Sequence, residues 1–282
     1  MAYSRTRRRP RRARRTPRRP ARRQYRTKRT TYRKRRTMGT SRKRILNIAS
    51  TKKRDTMIFY DPLTPANTKL EINGRAQGSI SVYMFCATAR EVNTNGSMIP
   101  SERSASTVFW KGISERVSLT VASGVSWKWR RLVFSAKGLR IDSASVETSP
   151  AGWVRPWNAY ADSLTLARLF QGNSGVDFTN YMLAKPNRDL LTVMYDKTRV
   201  LRSGNASPHE HEIKMWHPLN KTMNYDDDEN GVTVPGSANR YAAVSNHGLG
   251  DVYIMDFFDC VDGVEADKIT IRSATTAYWH EK

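Results

Sequence analysis

The 282-residue sequence predicts an all-β sandwich or barrel with short helices in its inter-strand loops, preceded by a disordered arginine-rich arm. Three observations predict it. The first 54 positions hold 25 of the 49 Lys and Arg residues and none of the 25 Asp and Glu residues. From Asp55 onward, short apolar stretches alternate with period two, the signature of strands that bury one face. Clusters of Gly, Pro, Ser and Asn separate these stretches, and helical periodicity is sparse.

The arm is drawn at 1–40, and its first 37 residues are almost wholly Arg, Lys, Pro, Thr, Ala and Tyr. Such a segment has nothing to bury and repels itself, so it cannot offset the entropy of folding and is expected to be disordered when free. Pro10, Pro17 and Pro20 bias it toward extended backbone. Arginine dominates over lysine, which suits bidentate phosphate contacts. Those contacts are assigned to Arg7, Arg8, Arg9, Arg11, Arg12, Arg14, Arg15, Arg18, Arg19, Arg22, Arg23, Arg26, Lys28, Arg29, Arg33, Lys34, Arg35 and Arg36, with Tyr3, Tyr25 and Tyr32 available to stack on unpaired bases. Nothing in this composition reads a base sequence. A solubilising tail or a bare import signal is the simpler alternative, but import needs only a run of about 5–8 basic residues, and this arm is several times longer.

Residues 41–54 read as a basic connector. Three clusters in or next to it suit recognition by host nuclear import receptors: Arg33, Lys34, Arg35 and Arg36; then Arg42, Lys43 and Arg44; then Lys52, Lys53 and Arg54. Between the last two lies Ile45-Leu46-Asn47-Ile48, the first apolar cluster, where the arm is expected to start docking on the body.

The body, 55–282, carries 24 bases against 25 acids. The chain is therefore a neutral domain joined to a separate polycation, whose partner must be a polyanion. Strands are expected at Met57–Tyr60, Ser79–Cys86, Thr107–Lys111, Val117–Val121, Trp127–Ser135, Leu190–Leu201, Glu212–Trp216, Val252–Phe258 and Lys268–Arg272. Aromatic residues on both sides of Ser79–Cys86 predict a strand buried on both faces. Helices are expected at Leu164–Gln171, stopped by Gly172, and at Asp177–Ala184, stopped before Pro186, both inside a long insertion. Trp153, Trp157 and Tyr160 in that insertion serve either as interface anchors or as core.

Several chemistries have no support. Cys86 and Cys260 lack partners at zinc or disulfide-framework spacing. No apolar run suits a signal peptide or a membrane span, so no membrane partner is expected, and the Asn-x-Ser/Thr matches at Asn95, Asn205 and Asn220 read as chance. Glycine-rich phosphate loops and the Gly-x-Ser-x-Gly nucleophile motif are absent, and no catalytic residue, metal or cofactor is assigned. His209-Glu210-His211 with His217 is the most enzyme-like stretch, resembling the His-apolar-His of single-strand nickases, but its middle residue is Glu210 and Pro208 favours a loop. The run Asp226-Asp227-Asp228-Glu229 lacks the alternation of a calcium loop and reads as a solvated turn or as a patch for a neighbour's basic residues. Trp127-Lys128-Trp129-Arg130-Arg131 places Trp127, Trp129 and Arg131 on one strand face. That face is either a base-stacking surface, the reading adopted for these three residues, or core.

With these residues in view, the sequence resembles the capsid proteins of genomoviruses, the gemycircularvirus-like group of small circular single-stranded DNA viruses. The likeness is carried by the arm leading into Ser41-Arg42-Lys43-Arg44-Ile45-Leu46-Asn47-Ile48, by Thr51–Met57, by Phe109-Trp110-Lys111-Gly112, by Trp127–Arg131 and by Asp251–Phe258, in that order and spacing. The resemblance implies a single jelly roll, an icosahedral shell of copies of this chain, a circular single-stranded DNA cargo, and assembly in a host nucleus before residence in the virion. The alternatives are a chromosomal or ribosomal nucleic-acid-binding protein with a basic extension, and a nuclease whose arm only holds substrate.

Overall fold

Strict alternation shapes the longest strands. In Lys268–Glu281 the residues Ile269, Ile271, Thr275, Ala277 and Trp279 are buried, while those between them are partly or fully exposed. The computed structural model describes residues 41–74, 80–93, 99–204, 207–227, 240–244 and 247–282, apart from the side chains of Arg42 and Lys43. The arm expected at 1–40 lies outside the described residues.

The chain runs through helix α1 (Arg42–Ala49), strands β1 (Thr51–Met57), β2 (Phe59–Tyr60), β3 (Leu70–Asn73), β4 (Ser81–Cys86), β5 (Thr107–Val121), β6 (Trp127–Ala136), β7 (Val146–Thr148), β8 (Gly152–Pro156) and β9 (Asn158–Ala159), helix α2 (Ser163–Leu169), and strands β10 (Thr192–Leu201), β11 (His209–Asn224), β12 (Asp251–Cys260) and β13 (Lys268–Glu281). One sheet has the order β1-β13-β5-β11, with β3 also on β13; the second has the order β10-β6-β12-β4-β9. Every long pair is antiparallel. Numbering the eight principal strands along the chain, the sheets read 1-8-3-6 and 5-4-7-2. That interleaving is two Greek keys wound into a jelly roll. The single jelly roll that the resemblance implied is thus the fold.

The short connections 122–126, 202–208 and 261–267 meet at one end, where Val261 N donates to Ser126 O at 3.0 Å and Ser203 Oγ to Ser123 O at 2.7 Å. The described parts of the long connections between β4 and β5 and between β11 and β12 meet at the other, where Arg90 N donates to Arg240 O at 3.1 Å. Much of the segment 137–191 covers the outer face of the second sheet, while its Arg155 and Trp157 enter the sandwich between the sheets. Leu166, Leu169, Phe170 and Met182 of this insertion pack on Leu132, Phe134, Met255 and Phe257 of β6 and β12. Apolar contact on both faces is why β12 is buried from end to end and why β4 carries aromatics on both sides, as expected.

Expected and observed elements differ in two places. The sandwich's first strand, β1, starts at Thr51, inside the stretch expected as a connector, with Lys53, Asp55 and Met57 alternating inward on it. Asp177–Ala184 is a series of turns, with Asn180 Oδ1 accepting from Met182 N at 2.7 Å in place of a helical bond. The helix expected at Leu164–Gln171 is α2, capped by Asp162, whose carboxylate accepts from Leu164 N at 3.1 Å. Trp153 and Trp157 are core residues.

Candidate nucleic-acid interface

The connector divides by depth. Arg44 is exposed on α1, and Lys52 and Arg54 project from the outer face of β1. Lys53 points the other way. Its Nζ lies 3.1 Å from Glu281 and donates to Glu102 O and Ser104 Oγ, both at 2.7 Å. A buried lysine with every donor engaged offers nothing to a phosphate or an import receptor, so Lys53 leaves the import cluster. Residues Arg7 to Arg36 of the phosphate-binding and import assignments lie outside the described residues.

Trp127, Trp129 and Arg131 do share a face, and it is the inner one. Their assignment to nucleic acid is corrected: all three are buried between the sheets, because β6 is a central strand with a partner on each side. Trp129 stacks on Phe258 at 6.2 Å and donates from Nε1 to Asp256 Oδ1 at 2.8 Å. Arg131 donates to both Asp256 oxygens, at 2.7 and 2.8 Å, and to Glu115. Arg155 completes the group with bonds to Glu115 at 3.2 Å and Asp256 at 2.9 Å, and its guanidinium lies 3.8 Å from the Trp157 ring. Two guanidiniums thus face two carboxylates in the middle of the sandwich, with apolar clusters on either side. Burial pushes the Glu115 and Asp256 carboxyls up, but Arg131 and Arg155 outweigh it and hold both below the usual carboxylate range.

The outer face of the first sheet has a different character. Its cross-strand rows run Lys52, His280, Phe109 and Thr222; then Arg54, Tyr278, Gly112 and Pro218; then Thr56, Thr276, Ser114 and Trp216; then Ala274, Arg116 and Lys214. Trp216 is 48% exposed and Phe109 36% exposed. The Trp216 ring lies across Gly112, where a Cβ would stand 2.5 Å from it, and its centroid is 5.8 Å from that of Tyr278. Phe109 and His280 form a second pair at 6.1 Å. Partial burial, then Lys52 and Lys111, lower the His280 pKa, which favours a neutral ring. Among the described residues these four rows contain no acid; Glu212 and Glu210 enter only further along β11. Sequence reading passed over this face because Phe109, Trp216 and Tyr278 come from three distant strands. The available signal was each strand's alternation, which puts all three opposite to buried neighbours.

The enzyme-like stretch does not converge. His209 and His211 sit 4.7 Å apart at the start of β11, a strand rather than the expected loop, whereas His217 is buried further along it against Tyr195. Among the described residues no group of three or more His, Cys, Asp or Glu is placed to hold a metal ion. The acid run is partly engaged within the chain. Asp227 accepts from Arg103 at 2.7 and 2.9 Å and Asp226 pairs with Arg140, while Asp228 and Glu229 lie outside the described residues. Cys86 and Cys260 are free and buried, and no helix among the described residues is long and apolar enough to cross a membrane.

No protein-family model and no curated protein matches the chain. Among solved structures it is similar to VP1 of trichodysplasia spinulosa-associated polyomavirus in complex with sialylated precision glycooligomers, at 13% identity over 77% of this chain and 76% of that one, with a TM-score of 0.12. It is similar also to apo New Jersey polyomavirus VP1, at 10% identity over 82% and 80%, with a TM-score of 0.11. At these scores the likeness carries no argument, and the fold rests on the strand order.

Proposed function

We propose that the chain is a viral coat protein, structural rather than catalytic, that closes into a shell of its own copies around a nucleic acid. The observation that carries this reading is the joining of a jelly roll to a polycation of 22 basic residues, Arg5 to Arg44, that precedes β1. Jelly rolls also serve lectins and cupins, so the fold alone does not choose. A lectin or cupin has no use for a long acid-free basic segment, whereas a shell protein must neutralise the phosphates it encloses.

The finer reading, supported by the sequence resemblance, is a genomovirus-type capsid of about 60 copies, the minimal icosahedral shell, holding circular single-stranded DNA. The virion and, during assembly, the host nucleus are its places of action, with Arg33–Arg36 and Arg42–Arg44 engaging import receptors. Condensation by the arm is electrostatic and blind to base sequence, driven by counterion release. Deleting residues 1–37 is expected to leave the sandwich folded, by circular dichroism and a cooperative melt, while abolishing nuclease protection of co-expressed DNA. Normal packaging by the truncated chain would remove the arm from the mechanism.

A further inference from the structure

The acid-free half of the first sheet's outer face carries an observation that packaging by an arm does not explain. Trp216 is the only one of the seven tryptophans, all among the described residues, that is exposed. The other six are buried, so the fold has room for indole rings inside, and this one stands on the surface. Beside it stand Tyr278, Phe109 and His280, flanked by Lys52, Arg54, Lys111 and Arg116.

From this arrangement we infer that the outer face of the β1-β13-β5-β11 sheet is a binding platform for unpaired nucleotides, with Trp216 and Tyr278 stacking one base and Phe109 and His280 the next. Aromatic rings on an exposed sheet face, edged by cations, are the physical recipe for single-strand binding: every base has a π-face, and the cations track the phosphates. Tyr278 and His280 are two residues apart on one strand, so the two pairs are separated by about 7 Å, a step that successive nucleotides of an extended single strand can span. Within a duplex the bases stack on each other and present no free face to these rings.

Two further observations favour nucleic acid over a second copy of the chain as the occupant. The four rows hold no acid, so the face repels its own cations in another copy. Helix α1, tied back by the Lys52 Nζ bond to Asn47 O at 3.0 Å, leads into β1 at the Lys52 end of the same face and adds the exposed Arg44 to its cations. Gly112 belongs to the device, since only a residue without Cβ lets the Trp216 ring lie flat across β5.

The inference rests on the packaging reading, and the test separates the two. Trp216 fluorescence of the full-length chain is followed with a thymidine oligonucleotide of about ten residues, and with a duplex of the same length. Titrations are run at low salt and again at about 0.5 M salt, where phosphate contacts of the arm are weakened. The single strand is expected to quench Trp216 at both salt concentrations and the duplex to leave it unquenched. Trp216→Ala and Tyr278→Ala each weaken single-strand affinity at high salt about tenfold, Trp216→Phe retains most of it, and all melt as the parent does. Binding at low salt with Trp216 unquenched and Trp216→Ala without effect would overturn the platform and leave packaging intact. No binding of either oligonucleotide at any salt would overturn packaging itself. A Trp216 signal that follows protein concentration without nucleic acid would assign the face to contact between copies.

Discussion

Arg131 lies between Glu115 and Asp256, at a depth where a guanidinium is tolerated only because two carboxylates and a second guanidinium, Arg155, complete the group. Removing one member strands the others without water. Arg131→Met is therefore expected to destabilise the fold by about 3–5 kcal/mol, read as a lower denaturant midpoint at unchanged slope. His217, beside the same group, titrates at about 4 rather than 6.5, because burial and then Arg131 disfavour its charged form. Its sign is that of a depressed base: the unfolded chain takes up a proton below its ordinary pKa and the folded chain does not. Stability should fall between pH 6.5 and about 4, by about 3 kcal/mol more in the parent than in His217→Gln, and this contribution is flat outside that window. Glu115 and Asp256, held low, add their losses as pH falls through the usual carboxylate range and below it. Equal pH profiles for parent and His217→Gln would contradict this. At Gly112 a methyl group would meet Trp216 at 2.5 Å and the His217 carbonyl at 2.7 Å, so Gly112→Ala should displace the indole and weaken single-strand binding along with it.

Period-two alternation made the strands legible at the scale of elements. Thr107–Lys111 and Val117–Val121 were expected as two strands and are one, β5, because a bulge between Trp110 and Gly112 shifts the register on both neighbours and breaks the apolar rhythm without ending the strand. The first turn of β1 was missed for a different reason. Lys52-Lys53-Arg54 reads as a basic cluster, and nothing local marks Lys53 as buried, since its partner Glu281 sits at the opposite end of the chain. A related limit applied to Trp127, Trp129 and Arg131: their shared face was legible from spacing, but which way it points depends on Asp256, 125 residues along the chain on β12, and on Glu115 of the preceding strand β5. The long insertion was legible as an insertion, though not as the cover of the second sheet. Phe170 is its main contact, packed edge-on against Phe257 at 5.8 Å and beside Tyr181 at 5.4 Å. Phe170→Ala should cost about 3–5 kcal/mol and expose enough of the sheet to bind an apolar dye before the main unfolding transition; a dye-silent, fully cooperative melt would contradict this and show that the cover and the sandwich unfold as one unit.

For the whole molecule, charge is segregated along the chain while apolar surface is segregated by depth. In the proposed function the polycation condenses the cargo and the sandwich builds the shell. If about 60 copies close a shell, their basic segments bring on the order of 1,500 positive charges inside, enough for a cargo on the order of 1,500–3,000 nucleotides. Crowding like charges in one cavity also makes closure depend on cargo and on salt. The most direct test is electron microscopy of the full-length chain expressed with DNA, combined with nuclease digestion of the purified material. The account predicts uniform closed particles enclosing protected nucleic acid in that size range. Soluble monomers or open aggregates across all salt concentrations, with the DNA fully digested, would contradict it and favour a cellular nucleic-acid-binding protein built on the same fold.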